Sequence, residues 1–149
     1  MSTYNTCDVL IVEDDLAQCE EMAIHLARSG LDVNMAYNGW SACRQAAALK
    51  PRVILLDFDL PDINGVRLAE GFRKILPEAA ILMMSGRIDG LSEYALERFG
   101  ITVFLNKPVP HRALRRAVLK LVRPSTSRLP PPVRTGNGGW LSTGLGGTR

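Results

Sequence analysis

The chain has 149 residues, and 46% of them are hydrophobic, which is enough for one domain with a sizeable core. Its apolar runs are far shorter than the ~20 residues of a membrane-spanning helix, and its first residues lack the pattern of a signal peptide. The net charge of +3 resides in Arg128, Arg134 and Arg149, because residues 1–123 carry 15 basic and 15 acidic side chains. We therefore expect no membrane association, no direct DNA binding and no strong tendency to bind other nucleic acids.

The three cysteines, Cys7, Cys19 and Cys43, are odd in number, widely spaced and without a CxxC pair. This pattern favours buried, reduced thiols in a cytoplasmic protein. No group of cysteines and histidines has the spacing of metal ligands, and His25 and His111 stand on predicted helices without a partner. We therefore expect no metal site built from these residue types.

Five apolar segments have the length and residue types of buried strands. In chain order, the predicted strands are Asp8–Val12, Leu31–Ala36, Val53–Asp57, Ala79–Met84 and Ile101–Leu105. Apolar residues recur at helical spacing after each strand, in Leu16–Arg28, Trp40–Leu49, Val66–Leu76, Leu91–Phe99 and Ala113–Val122. Strands that alternate with helices predict a parallel sheet covered on both faces. The expected fold is α/β, a flavodoxin-like (βα)5 three-layer sandwich with strand order 2-1-3-4-5.

The composition changes after Arg123. Residues 124–132 are rich in proline and serine, and six glycines follow between Gly136 and Gly147. Such a segment buries too little apolar surface to offset the entropy of ordering it. We predict a domain over residues 1–123 and a flexible tail over 124–149.

Polar side chains end four of the five predicted strands. Glu13 and Asp14 follow the first strand, Asp57 ends the third, Ser85 follows the fourth, and Lys107 follows the fifth. In the order 2-1-3-4-5 these four strands are neighbours, and the carboxyl ends of parallel strands share one edge. Each residue alone has an ordinary explanation as a helix cap, a turn former or a surface charge. Their meeting at one edge favours a shared site.

Clustered carboxylates repel one another unless a cation joins them, and hard oxygen ligands suit Mg²⁺. Together with a lysine and a hydroxyl they form a set that can receive a phosphoryl group. In this interpretation Asp57 attacks phosphorus and becomes an aspartyl phosphate. Lys107 neutralises the phosphoryl oxygens, Ser85 donates a hydrogen bond to them, and Gly86 leaves room for the group.

The motifs around these residues resemble the receiver domain of response regulators in two-component signalling. The matching segments are Leu10–Asp15, Leu55–Gly65, Met84–Gly86 and Phe104–Pro108, and the resemblance covers roughly residues 7–123. It implies that Asp57 accepts a phosphoryl group from a sensor histidine kinase or a histidine phosphotransfer protein. It also implies a Mg²⁺ site made by Asp14, Asp57 and the backbone carbonyl of Asp59, with Glu13 acting through water.

The resemblance assigns Ser85 and Lys107 to the phosphoryl group and places Phe104 at the family's aromatic switch position. A core aromatic with no switching role explains Phe104 equally well. Asp59 and Arg87 are expected to flank the path of an attacking water and to tune the lifetime of the phosphoryl group, as a pair across the site mouth. Two separate solvated charges are the alternative.

Output is expected through contact with a downstream protein at the last helix and strand, or through onward phosphotransfer. Nothing after residue 123 predicts an attached output domain, so a stand-alone receiver that is not a true enzyme is expected. The last helix carries a basic stripe made by Arg112, Arg115, Arg116, Lys120 and Arg123. This stripe is either a solvated face or a surface for an acidic partner.

A phosphohydrolase of the haloacid-dehalogenase type is the competing interpretation, since Asp57 and Asp59 also form a DxD pair. Asp57 would then be the nucleophile and Asp59 the general acid and base. In that family the metal-binding acids follow the lysine, whereas here Glu13 and Asp14 precede the nucleophile. The order of the motifs favours the receiver.

Overall fold

The computed structural model describes residues 7–86 and 97–122, together with two short strands further on. The main strands are β1 Val9–Val12, β2 Val33–Ala36, β3 Val53–Asp57, β4 Ala80–Ser85 and β5 Val103–Asn106. The helices with described bounds are α1 Leu16–Ala27, α2 Gly39–Leu49, α3 Gly65–Ile75 and α4 His111–Val122. The short strands are β6 Val133–Arg134 and β7 Trp140–Leu141.

The five main strands form one parallel sheet in the order β2-β1-β3-β4-β5, which confirms the predicted topology. The residues of β1 and β3 are buried throughout. Strands buried on both faces read as continuous apolar runs, because helices cover both sides of a parallel sheet. The apolar content of these two strands therefore follows from their central place in the sheet.

Alternate residues of the central strands enter two separate cores. Leu10 and Ile54 face the core that α2 and α3 complete with Ala46 and Phe72. On the opposite face, the residues that pack with α1 and α4 include Val9, Ile11, Leu55, Leu26 and Leu114. The side-chain period of two along a strand separates these sets, and the result is the expected three-layer sandwich.

Three helices begin with a polar cap just after a strand. The Gln18 amide donates to Asp15 at 3.0 Å at the start of α1, and the Ser41 amide donates to Asn38 at 2.8 Å at the start of α2. At α3, the Val66 amide donates to Asn64 at 2.7 Å. These side chains satisfy first-turn amides that lack a partner within the helix. Because each of these helices follows a strand of the parallel sheet, all three start at the same edge of the sheet, where the predicted site residues lie.

The end of α3 is joined to the segment before β5 by one arginine. Arg73 donates to the backbone carbonyl oxygens of Pro77 at 2.9 Å, Ala79 at 2.7 Å and Gly100 at 2.6 Å, with a longer contact to Leu76 at 3.5 Å. Gly100 has φ +77°, and a Cβ there would stand 2.7 Å from Arg73 Nε. Glycine therefore suits both the left-handed backbone and the close approach of the arginine.

Leu16 departs from the predicted apolar stripe of the first helix, since it is 57% exposed. It is the first residue of α1, directly after the Asp15 cap, and it lies outside both core clusters.

The predicted fourth helix, Leu91–Phe99, falls mostly outside the described residues, although Glu97 and Arg98 are helical. Within the predicted tail, β6 and β7 pair in antiparallel register. The domain boundary at residue 123 stays a prediction.

Candidate functional site

The carboxyl edge of the sheet brings together side chains from three strand ends. Lys107 Nζ lies 2.8 Å from Glu13 Oε1 and 3.3 Å from Asp57 Oδ1. Glu13 and Asp57 are both buried, and Lys107 is partly exposed. The Lys107 amide also donates to the carbonyl oxygen of Ser85 at 2.8 Å, so the end of β4 positions the lysine backbone. The buried Ser85 therefore shares this edge with the ion pair, as its place in the sequence predicts.

Three carboxylates at this edge form a group that could hold a metal ion. Glu13, Asp14 and Asp57 each offer an oxygen, and these oxygens all lie within 4.8 Å of one another. Mg²⁺ prefers such oxygen ligands and keeps several waters, so it needs only a few protein groups. Because Asp14 is exposed and the other two are buried, the group opens toward solvent on one side. The donor set fits the magnesium site expected from the sequence.

Burial and the neighbouring charges shift the pKa values of the groups in the site. Burial raises the pKa of Glu13, the hydrogen bond from Lys107 opposes that rise, and nearby Asp57 adds to it. The pKa of Asp14 is raised as well, first by desolvation and then by Glu13. Burial acts to lower the pKa of Lys107, but Glu13 and Asp57 outweigh it and raise that pKa. The site thus disfavours its own ionised carboxylates and favours a cation.

The loop after β3 is held at both ends. The Asp59 amide donates to Asp57 Oδ1 at 3.2 Å, and Asp59 pairs with Asn64 across the loop. A Cβ on Gly65 would stand 2.8 Å from Phe58 Cα and 3.0 Å from the Asp57 carbonyl oxygen. Only glycine therefore lets α3 start so close to the strand that carries Asp57. The metal-binding role of the Asp59 carbonyl stays a prediction.

Asp62 is a residue whose role the sequence did not reveal. Its carboxylate accepts hydrogen bonds from the Gly39 amide at 2.8 Å and the Trp40 amide at 3.0 Å, at the start of α2. The Gly39 bond is the leading cause of the lowered pKa of Asp62. In the sequence, Asp62 follows proline and reads as an ordinary turn residue. Its contact joins the loop after β3 to the start of α2.

The sequence also predicts roles for Phe104, Arg87 and Gly86. Phe104 lies on β5, is partly buried and packs against the core formed with α2 and α3, which agrees with a core aromatic. Its switching role is a prediction. Arg87 lies outside the described residues, so its proposed pairing with the exposed Asp59 is also a prediction. Gly86 is exposed, and among the described residues a Cβ built on it meets nothing within 4 Å.

Several curated proteins are similar to this chain. The alkaline phosphatase synthesis transcriptional regulatory protein PhoP of Bacillus subtilis is 27% identical over 122 residues, which are 82% of this chain and 51% of PhoP. The transcriptional regulatory protein KdpE of Mycobacterium tuberculosis is 32% identical over 107 residues, which are 65% of this chain and 47% of KdpE. The chain spans about half the length of these curated relatives.

Solved structures share the fold. A CheY-like response regulator receiver domain protein from Methanospirillum hungatei matches with a TM-score of 0.74 and 24% identity, over 79% of this chain and 94% of that chain. The Vibrio cholerae chemotaxis protein CheY4 matches with a TM-score of 0.72 and 22% identity, over 78% of this chain and 98% of that chain. At these identities the likeness concerns the fold alone.

The family described as response regulator receiver domain matches residues 9–119, which is well over half of the chain. These residues include the strand ends with Glu13, Asp14, Asp57, Ser85 and Lys107. The matches give no support to the phosphohydrolase alternative. Receiver domains work with sensor histidine kinases in two-component signalling and are generally not true enzymes. The fold, the edge of acidic groups with its lysine and the match together show that this chain belongs to the response regulator receiver domain family.

Proposed function

We propose that Asp57 accepts a phosphoryl group from a sensor histidine kinase or a histidine phosphotransfer protein, with Mg²⁺ at the neighbouring carboxylates. The observation that supports it most is the position of the Asp57 carboxylate. It lies 3.3 Å from the Lys107 ammonium and within the group that Glu13 and Asp14 complete. A carboxylate nucleophile, a fixed ammonium and a cation site are the parts that phosphoryl transfer requires.

In the proposed reaction an Asp57 carboxylate oxygen forms a bond to phosphorus while the bond from phosphorus to the donor imidazole breaks. The electron pair of that bond leaves with the imidazole, which takes up a proton. When bound, Mg²⁺ would neutralise phosphoryl charge, held by Asp14 and Asp57, the Asp59 carbonyl, and Glu13 through water. Lys107 supplies a second positive charge, and the Ser85 hydroxyl donates a hydrogen bond to a phosphoryl oxygen.

Intact-mass measurement after incubation with Mg²⁺ and acetyl phosphate tests this proposal. The wild type should gain one phosphoryl group, and Asp57→Asn should gain none. Asp32→Asn is the control for the loss of one carboxylate, because Asp32 is an exposed aspartate that lies just before β2, at the opposite edge of the sheet. A wild type that stays unmodified, or an Asp57→Asn variant that is still modified, contradicts the proposal. Stoichiometric labelling from acetyl phosphate supports a receiver, whereas multiple turnovers on phosphomonoesters would support a hydrolase.

Chelation of Mg²⁺ tests the metal part separately. With EDTA the labelling should fall to the level of Asp57→Asn, because the charge of the incoming phosphoryl group is then opposed by Lys107 alone. Mg²⁺ binding should also weaken at acid pH, since the raised pKa values of Glu13 and Asp14 keep these groups protonated to higher pH than free carboxyls. Unchanged labelling in EDTA would remove the metal from the proposal.

We further propose that the signal leaves through a protein contact at β5 and α4. The described part of α4 carries Arg112, Arg115 and Arg116 on its exposed side, where they line a surface pocket with Leu119. No acidic residue lies in His111–Val122, so this face favours an acidic partner.

The free thiols of Cys7, Cys19 and Cys43 support a cytoplasmic location.

A further inference from the structure

The loop between β3 and α3 is closed at its base by backbone hydrogen bonds. The Gly65 amide donates to the carbonyl oxygen of Phe58 at 3.1 Å, and the Phe58 amide donates to that of Met84 at 2.9 Å. Just inside the loop, Asp59 pairs with Asn64 in an antiparallel bridge. These contacts fix both ends of the loop relative to the sheet, but they do not act on its tip.

The tip of the loop is held by Asp62, through bonds to a different element of the fold. One carboxylate oxygen of Asp62 accepts from the Gly39 amide at 2.8 Å, and the other accepts from the Trp40 amide at 3.0 Å. Hydrogen bonds to a charged acceptor are shorter and roughly twice as strong as those between neutral groups. Because both oxygens are used, the two bonds fix the direction of the carboxylate as well as its distance from α2.

A close apolar contact lies beside this carboxylate. A Cβ on Gly39 would overlap Ile63 Cγ2 and would stand 3.3 Å from Asp62 Oδ1, so glycine lets the loop approach α2 this closely. Ile63 is partly buried against the core that contains Ala42 and Ala46 of α2. The tip of the loop is therefore anchored to a helix that is itself packed on the sheet.

The start of α2 also has a cap of its own. Asn38 accepts from the Ser41 amide at 2.8 Å, which is the usual arrangement of a side chain directly before a helix. Asp62 stands 23 residues after Gly39 in the sequence and belongs to the loop that follows Asp57. Its contact therefore does more than cap a helix, because it ties that loop to α2.

The same loop begins with residues that are proposed to bind Mg²⁺. Asp57 belongs to the three-carboxylate group, and its Oδ1 also accepts from the Asp59 amide at 3.2 Å. Mg²⁺ demands nearly octahedral geometry with ligands at about 2.0–2.1 Å. The exposed Asp59 therefore has to be held in a fixed position relative to the buried Asp57 carboxylate. A loop tied at its tip as well as at its base holds such a geometry better than a loop tied at its base alone.

We propose that Asp62 is a positioning residue for Mg²⁺ binding at the acidic edge. It acts through the loop, since its hold on α2 keeps the Asp59 carbonyl and the Asp57 carboxylate in the arrangement that one ion needs. The inference rests on the proposed Mg²⁺-dependent phosphorylation of Asp57, and it adds a residue that sets the affinity of the site for the ion.

Titration of the full chain with Mg²⁺, followed by backbone amide NMR resonances without a phosphodonor, tests the proposal. Asp62→Ala should raise the Kd for Mg²⁺ by about 10-fold, the lower end of the range for groups that support metal ligands. Asp62→Asn removes the same charge but keeps one oxygen that can accept from the α2 amides, so it should raise Kd by a smaller factor. With acetyl phosphate, Asp62→Ala should be labelled slowly at low Mg²⁺ and at close to the wild-type rate at saturating Mg²⁺.

Asn38→Ala is the control for helix stability, because it removes the other cap of α2 and leaves the Asp62 bonds in place. It should lower Tm and leave the Kd for Mg²⁺ unchanged. The proposal is overturned if Asp62→Ala binds Mg²⁺ as tightly as the wild type, if Asp62→Asn and Asp62→Ala weaken binding equally, or if Asn38→Ala weakens it as much as Asp62→Ala. A wild type that binds no Mg²⁺ overturns the metal part of the proposed function as well, so the two failures can be told apart.

Discussion

Replacing Lys107 with methionine should destabilise the fold in a way that depends on pH. Lys107 Nζ is 2.8 Å from a carboxylate oxygen of Glu13, and the Glu13 side chain is 1% exposed. Methionine keeps the length of the side chain but removes its charge, so Glu13 is left as a buried carboxylate without its counterion. Breaking a buried ion pair in this way costs about 3–5 kcal/mol when both charges are fully buried.

Two features of the site lower that cost. The Lys107 side chain is 27% exposed, so water replaces part of its interaction. Glu13 can also take up a proton, and neutralising a carboxyl of ordinary pKa 4.5 at pH 7 costs about 3.4 kcal/mol. The loss at pH 7 should therefore be about 2–3 kcal/mol. Near pH 4.5 protonation of Glu13 costs little, so most of the loss should disappear.

Urea unfolding at pH 7 and at pH 4.5 measures both values. The double variant Lys107→Met/Glu13→Gln completes the test. It should be more stable than Lys107→Met alone, because Glu13→Gln removes the uncompensated charge. At the alkaline end, the stability that Lys107 supplies is lost as pH rises from the pKa of a free lysine through its raised folded pKa. Equal losses at the two pH values, or a double variant weaker than Lys107→Met, would refute this account of the site.

Four other substitutions test separate features of the protein. Arg73→Met should lower the free energy of unfolding by about 2 kcal/mol, because it removes charged hydrogen bonds to backbone carbonyls; urea unfolding should show no comparable loss for the exposed control Arg67→Met. Asp62→Ala should cost about 0.5–1 kcal/mol, as loss of a helix cap does. This loss should be seen above the ordinary pKa of 3.8 and vanish as pH falls through the lowered folded pKa. Asp59→Asn and Arg87→Ala should each change the rate of autodephosphorylation, and unchanged rates in both would end the proposal that they tune it.

The fold and the acidic edge could be predicted because they depend on local patterns. Val53–Asp57 is apolar until its final carboxylate, and that pattern alone predicts a buried strand with a polar end. The parallel topology then places the end of β3 between the ends of β1 and β4, and the end of β5 beside that of β4. The strand order therefore converts four local observations into one site.

Contacts made by long or distant side chains could not be predicted in this way. The approach of His25 to His111 depends on how α1 and α4 pack, which no local spacing encodes. The reach of Arg73 to Gly100 depends on the length of a flexible side chain and on where the chain returns. Leu16 shows the converse, since it fits the helical spacing of apolar residues but is exposed at the first position of α1.

The charges at the sheet edge explain why one lysine is not enough for the proposed reaction. Glu13, Asp14 and Asp57 are three carboxylates, and Lys107 is the ammonium that the structure places among them. Ionised carboxylates here are already unfavourable, as the raised pKa values of Glu13 and Asp14 indicate. A phosphoryl group adds about 1.5–2 negative charges at neutral pH. Since Lys107 is shared between Glu13 and Asp57, it can turn toward the phosphoryl group only if another cation compensates Glu13. This requirement is the physical reason to expect a divalent ion at these carboxylates during phosphorylation.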